Sequence, residues 1–252
     1  MRSRLVLEYD GTEFAGWSRQ PGKRTVQEEL ERALAVVLRA PSVPLTVAGR
    51  TDAGVHAWGQ VASYDGEPAS VRSVNALLPA DVAVLSCEPA PDDFDARRDA
   101  TSRAYCYRLL PRPSRPALLR GRVLHWPHRL DLELLCECAA ALVGTHDFTA
   151  FTPTETEHVH FSRTVFGSFW RVAGELMEFW IEADAFMRQM NRVLVGTMLE
   201  VGSGRRSLSG FRDLLEGRPR SEAGRTAAAC GLYLAAVGYG GERVLSRGKP
   251  VL

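Results

Sequence analysis

An aspartate stands two residues after an arginine and two before a glycine in Gly49-Arg50-Thr51-Asp52-Ala53-Gly54-Val55-His56-Ala57. The strand-like run Leu45-Thr46-Val47-Ala48 leads straight into it. A carboxylate on a tight turn at a strand end is open to a substrate, and there it can act as a nucleophile or a base. Asp and Gly are also ordinary turn residues, so an Asp before a small residue and a Gly is most often only a surface turn. Other candidate groups are weaker. His158-Val159-His160 could present two imidazoles on one side of a strand, but no third ligand is visible, so no metal is expected. The five cysteines, Cys87, Cys106, Cys136, Cys138 and Cys230, include no CxxC pair. They read as reduced thiols of a cytosolic protein.

Composition narrows the class. The chain has 252 residues, 45% apolar and 24% charged, with a net charge of +1. That is ordinary for a soluble globular protein with a real core, and it excludes a globally basic one. No apolar run approaches the roughly 20 residues that span a bilayer. The N-terminus turns acidic at Glu8, after three apolar residues, and so lacks a signal-peptide core. All basic residues but Lys23 and Lys249 are arginine. Between Arg97 and Leu130 stand nine arginines and a single acid, Asp99, with Tyr105, Tyr107 and Trp126 among them. A basic window carrying aromatics suits phosphate contact with nearby base stacking.

The elements that must position these residues follow from period and punctuation. Arg4 to Tyr9 alternates as a strand, and Asp10-Gly11-Thr12 turns. Thr25-Val26-Gln27-Glu28 has capping-box spacing ahead of a helix whose apolar face is Val26, Leu30, Ala33, Leu34, Val37 and Leu38. Pro41 and Pro44 end it. Strands are expected over 45–48, 59–64, 82–87, 102–110 and 231–237, and a hairpin over 162–172 and 176–183. Helices are expected over 73–78, 132–143 with Asp131 as N-cap, 186–201 and 209–216. Strands outnumber helices and several pair as hairpins. The fold class is α+β with mainly antiparallel sheet, not a doubly wound parallel fold. A boundary near 101 divides the chain into an N-terminal domain, 1–101, carrying the Asp52 turn, and a C-terminal domain, 102–252.

Three pieces together closely resemble the TruA-type tRNA pseudouridine synthases. They are the Asp52 string, the strand Arg103-Ala104-Tyr105-Cys106-Tyr107, and the helix motif Phe186-Met187-Arg188-Gln189-Met190-Asn191-Arg192-Val193-Leu194-Val195-Gly196. Supporting matches run in order over nearly the whole chain. They include Tyr9-Asp10-Gly11-Thr12, Phe14, Gly16, Trp17, Arg19-Gln20, Thr25 to Glu28, Asp92 to Arg97, Gly144 to Thr149 and Gly231 to Leu234. The chain departs from the family at Met187, where leucine is usual, at Asn191, where valine is usual, and at Ser18, which replaces a common glutamine.

The resemblance implies a fold of two related α/β halves, their mainly antiparallel sheets forming a continuous sheet, with the active-site cleft between them. It implies a cytoplasmic homodimer that isomerises uridine to pseudouridine at positions 38 to 40 of the tRNA anticodon stem-loop. The N1–C1′ bond breaks, the uracil turns over, and C5 rejoins the sugar. No redox change occurs, so no cofactor is required. The base must first leave its stack. Asp52 takes the catalytic role, as nucleophile at the sugar or as base beside it. Arg192, the matching arginine, is placed against it to keep it ionised. Tyr105 stacks on the target base and helps remove the C5 proton, Tyr107 being the packing tyrosine. Arg50 fills the vacated space or holds the phosphate, and Arg19 and Gln20 are candidate RNA contacts.

Two other readings use the same residues. One is a catalytically silent RNA binder that uses only the basic residues. The other is a nucleoside hydrolase, which needs a second placed carboxylate, for which Asp10, Asp95 and Asp147 can be nominated.

Overall fold

Residues 1–156 and 159–245 are described by the computed structural model, and they cluster into two units. One takes in Met1–Thr101 with Tyr233–Glu242, and the other is built on Ser102–Leu232. In the first unit, Arg2–Tyr9 (β1) buries Ser3, Leu5, Leu7 and Tyr9 on one face. That period of two is what a strand with one covered face requires. Val26–Val37 (α1) buries Val26, Leu30, Ala33 and Leu34, as its spacing predicts. Thr25 does hold the N-cap position, but the expected capping box does not close: Thr25 Oγ1 is buried without a hydrogen-bond partner. The preceding loop contributes carbonyls instead. Val26 N donates to the Gly16 carbonyl at 3.3 Å and Gln27 N to the Trp17 carbonyl at 3.1 Å. Two of the helix's orphan donors are thus satisfied by backbone instead of side chain.

The strand expected at 45–48 narrows to Thr46–Val47 (β2), paired with His56–Asp65 (β3). Val71–Asn75 (α2) follows, capped by Ser70, and then Val82–Ala90 (β4). β1 pairs antiparallel with both β3 and β4.

Ala100–Leu110 (β5) lies in the second unit from Ser102 onward, and the short Leu124–His125 (β6) runs parallel to its end. Leu132–Ala141 (α3) starts at Asp131, whose carboxylate accepts from Leu134 N at 3.1 Å as expected. Gly144–Asp147 (β7), Ser162–Ala173 (β8) and Leu176–Ala183 (β9) then form antiparallel neighbours, with β9 against β5. β9 is buried along its whole length, so its two acids need internal partners. Glu178 takes Arg171 and the Trp180 indole, and Glu182 takes Ser102 Oγ and the backbone N–H groups of Val244 and Leu245. Met190–Gly202 (α4) starts four residues later than the expected 186, because Gln189 takes a left-handed conformation, φ 59°. Leu208–Asp213 (α5) completes the helices, and α3 packs on α4, α5 and β8.

Leu232–Tyr239 (β10) returns to the first unit, pairing parallel with β3 at Tyr233↔His56 and Leu234↔Ala57. Residues 233–242, read from sequence as part of the second half, therefore cluster with the first. Gly59 permits it: a Cβ there would lie 2.6 Å from the Ala235 carbonyl oxygen. The whole is mixed α/β with mostly antiparallel pairing, β3/β10 and β5/β6 being parallel.

Candidate active site

The Asp52 turn is clamped from several sides by residues distant in sequence. Gln60 Nε2 donates to the Gly49 carbonyl at 2.7 Å and to Tyr9 Oη at 3.3 Å. Tyr9 Oη lies 2.8 Å from Thr51 Oγ1. Burial pushes the Tyr9 phenol up to about 12, against which its bonds to Thr51 and Gln60 act only partly. Trp17 N donates to the Thr51 carbonyl at 3.0 Å, and Val55 N closes the turn onto the Asp52 carbonyl at 3.1 Å. Gly54, at φ 75°, supplies the left-handed residue the turn needs. Gly16, at φ 104°, presses on the turn: a Cβ there would sit 2.8 Å from the Thr51 oxygen and 3.2 Å from Ala53 N. Gly11 is tighter still, its Cβ position lying 2.0 Å from the Val55 oxygen. The Asp52 side chain is half-buried on this frame, and Arg50 beside it is exposed.

His56, near the end of the string, is a buried imidazole. Gly11 N donates to its Nδ1 at 3.0 Å, Asp10 Oδ1 lies 3.1 Å from the same atom, and Tyr233 stacks on its ring at 4.5 Å. Tyr9, Gly11, Gly16 and Gln20 match the family in sequence, but nothing in their types or spacing announces a positioning role for Tyr9, Gly11, Gly16, Gln60 or His56. The one signal available was the recurrence of Tyr9-Asp10-Gly11-Thr12 and Gly16-Trp17 beside the Asp52 string.

The other named residues are placed as follows. Arg19 pairs with Glu31 at 2.9 Å. The Gln20 amide is engaged at both ends, donating to the Ala15 carbonyl at 2.8 Å and accepting from Lys23 Nζ at 3.2 Å. Tyr105 and Arg192 belong to the second unit. Tyr105, buried on β5, meets Phe186 edge-on at 5.0 Å. Tyr107 is wholly buried, donates to the Ala228 carbonyl at 2.8 Å, and is pushed up by burial. It cannot stack on a base. Arg192, in the first turn of α4, donates from Nε to the Ala227 carbonyl at 2.8 Å, while its own carbonyl accepts from Ala227 N at 3.0 Å. Gly196 lets that segment come close, its Cβ position lying 1.7 Å from the Arg225 oxygen.

The carboxylates nominated for a hydrolase are engaged locally. Asp10 accepts from Thr12 N at 3.1 Å, Asp95 from Arg97 N and Arg98 N at 2.8 Å each, and Asp147 from Thr149 N at 2.9 Å. Each works as a turn or cap acceptor. No cluster of three metal-binding side chains occurs among the described residues, and His158 lies outside them. No helix among them is long and apolar enough to cross a membrane.

Comparison with known proteins bears on the whole chain. The family described as tRNA pseudouridine synthase matches residues 5–97 and 138–240. A protein of Geobacillus sp. named tRNA pseudouridine synthase A is 38% identical over 243 residues, 94% of this chain and 98% of its own. Its counterpart from Chromobacterium violaceum is 43% identical over 248 residues, 95% of this chain and 93% of that one. That from Bacillus subtilis is 39% identical over 246 residues, 95% of this chain and 99% of its own.

Proposed function

This chain belongs to the tRNA pseudouridine synthase family, isomerases acting on uridine in tRNA, and from that premise we propose that it acts on positions 38 to 40 of the anticodon stem-loop with Asp52 as the reacting carboxylate. The observation that carries the assignment is the frame around Asp52. Two glycines without room for a methyl, three backbone hydrogen bonds and a buried tyrosine–threonine–glutamine network hold one short turn. So much constraint around a half-buried carboxylate is what preorganised chemistry requires.

In the reaction the target uridine leaves its stack, at a cost of a few kcal/mol that contacts with the extruded base must offset. Asp52 attacks the sugar or acts as base while the N1–C1′ bond breaks. C5 then bonds to C1′, the C5 proton leaves, and N1 gains one, so atoms balance without a cofactor. Tyr105 stacks on the uracil and takes part in proton removal, and Arg192 is the positive partner of the carboxylate. Arg50, exposed and without an acid partner among the described residues, takes the vacated space or a phosphate. Arg19 and Gln20 contact RNA by exchanging the internal bonds described above. The working form is a cytoplasmic homodimer.

The test is incubation with tRNA tritiated at uridine C5. An isomerase releases tritium with the chain intact, a silent binder releases none, and a hydrolase leaves abasic sites and free uracil. Asp52→Asn is expected to abolish release while tRNA binding survives; substantial release by that variant would overturn the assignment. Tyr105→Phe should bind tRNA normally and turn over more slowly, and full-speed product formation would remove the tyrosine from proton transfer.

A further inference from the structure

Of the three aromatics in the basic window, Tyr107 is sealed in the core and Tyr105 is buried on β5. Trp126 alone is partly open. It follows directly on β6, held by its backbone N–H to the Leu110 carbonyl at 3.0 Å. There it forms part of a cavity of about 520 Å³ in the second unit, walled by Leu124, Trp126 and Pro127 and bordered by His125, His128 and Arg205. That volume lies within the ordinary range for small-molecule sites.

The polar side chains lining this cavity are those of His125, His128, Ser203 and Arg205. Arg205 follows the end of α4, where its N–H donates to the Glu200 carbonyl at 2.8 Å and its Nε to Ser203 Oγ at 3.0 Å. These bonds set the guanidinium over the Trp126 ring at 5.8 Å. Arg205 is exposed and makes no ion pair among the described residues. His128 is exposed and meets Trp126 edge-on at 5.6 Å, and exposed Arg129 comes next in the chain. By contrast, Arg98, Arg108 and Arg112 of the basic window are ion-paired to Asp99, Glu178 and Glu175, so part of their charge is offset by acids of the fold. No acid borders the cavity.

We propose that this cavity is a second RNA site, taking one unpaired nucleotide of the tRNA other than the target uridine, its base against Trp126 and its phosphate on Arg205. A flat apolar face, an anchored guanidinium with unspent charge and a volume fit for a base are the parts by which proteins hold single-stranded nucleotides. The inference rests on the reading of the chain as a tRNA-modifying enzyme, and it uses none of the residues assigned to the reaction.

The test uses the full chain and an unmodified, fluorescently labelled tRNA transcript. Arg205→Gln and Trp126→Leu are expected to weaken tRNA binding roughly five- to a hundredfold. KM in the tritium assay should rise with them while kcat at saturating tRNA stays at the wild-type value. Arg205→Gln should also lower the slope of log affinity against log salt by about one. Arg205 is exposed, so that variant keeps the proposal falsifiable even if Trp126→Leu unfolds. Wild-type tRNA affinity and KM in Arg205→Gln would overturn it. So would binding of adenosine 5′-monophosphate that Arg205→Gln abolishes while tRNA affinity is untouched, since a free mononucleotide would then be the occupant. A wild-type protein that binds tRNA but releases no tritium sinks the isomerase assignment instead, and the binding arm still decides the pocket. Failure to bind tRNA at all overturns both.

Discussion

Replacing Gly16 by alanine tests whether the Asp52 turn is held in place by backbone contact. The added methyl would lie 2.8 Å from the Thr51 oxygen and 3.2 Å from both Ala53 N and the Asp52 carbonyl carbon. Since carbon contacts are comfortable only from about 3.5 Å, the turn must withdraw by roughly half an ångström or more. The backbone at φ 104° adds strain that a side chain does not tolerate, on the order of 1–2 kcal/mol. A misplacement approaching 1 Å at a reacting group costs about a hundredfold in rate. Gly16→Ala is therefore expected to lower kcat for tritium release roughly 10- to 100-fold, with tRNA affinity little changed. Gly22→Ala is the control: it too is left-handed, at φ 69°, but nothing lies within 4 Å of its Cβ position. It should lose a few degrees of Tm, about 2–4 °C per kcal/mol in a chain of this size, and keep full turnover. Circular dichroism and melting would establish that both variants fold. A folded Gly16→Ala protein with wild-type kcat would refute the reasoning.

Two further outcomes follow from buried polar atoms. Tyr9 titrates near 12 in the fold against about 10 when exposed. A raised pKa means its contribution is complete below pH 10 and is lost as pH climbs from 10 towards 12, about 3 kcal/mol in all. Denaturant unfolding at pH 9 to 11.5 should show that loss in the wild type and a flatter curve in Tyr9→Phe; parallel curves would contradict it. Asn191 is buried with its Oδ1 unpartnered. Asn191→Val should thus raise stability by about 1–2 kcal/mol, read as a Tm several degrees higher, and an unchanged or lower Tm would count against an orphaned acceptor there.

Eight of the ten strands, the α1 face and the Asp131 cap were legible because each is a local pattern of period or punctuation, whereas the short β6 and β7 were not expected. The two-residue β2 was overread as four, since the apolar run at 45–48 says nothing of how much of it finds a partner. Thr25 looked like the head of a capping box because sequence cannot show that Gly16 and Trp17 lend their carbonyls to the same helix. The start of α4 was missed by four residues because an amphipathic period does not register one left-handed residue, Gln189. At the candidate site, the string around Asp52 announced itself by composition. The contacts that hold it, Gly16 on Thr51 and Gly11 on Val55, are tertiary approaches of backbone to backbone and leave only a glycine as their trace.

The return of β10 to β3 has a kinetic corollary. On the ribosome, the unit that carries Asp52 cannot finish its sheet when its own first hundred residues emerge. It must wait, with the β3 edge lacking its parallel neighbour at His56 and Ala57, until Ser102–Leu232 of the other unit has been translated. An unpaired edge invites strand addition by neighbouring chains, and non-local pairing is slow to form. Nascent chains stalled before residue 232 should therefore be the aggregation-prone species, and a chain released beyond Tyr239 the first able to close the β3 edge.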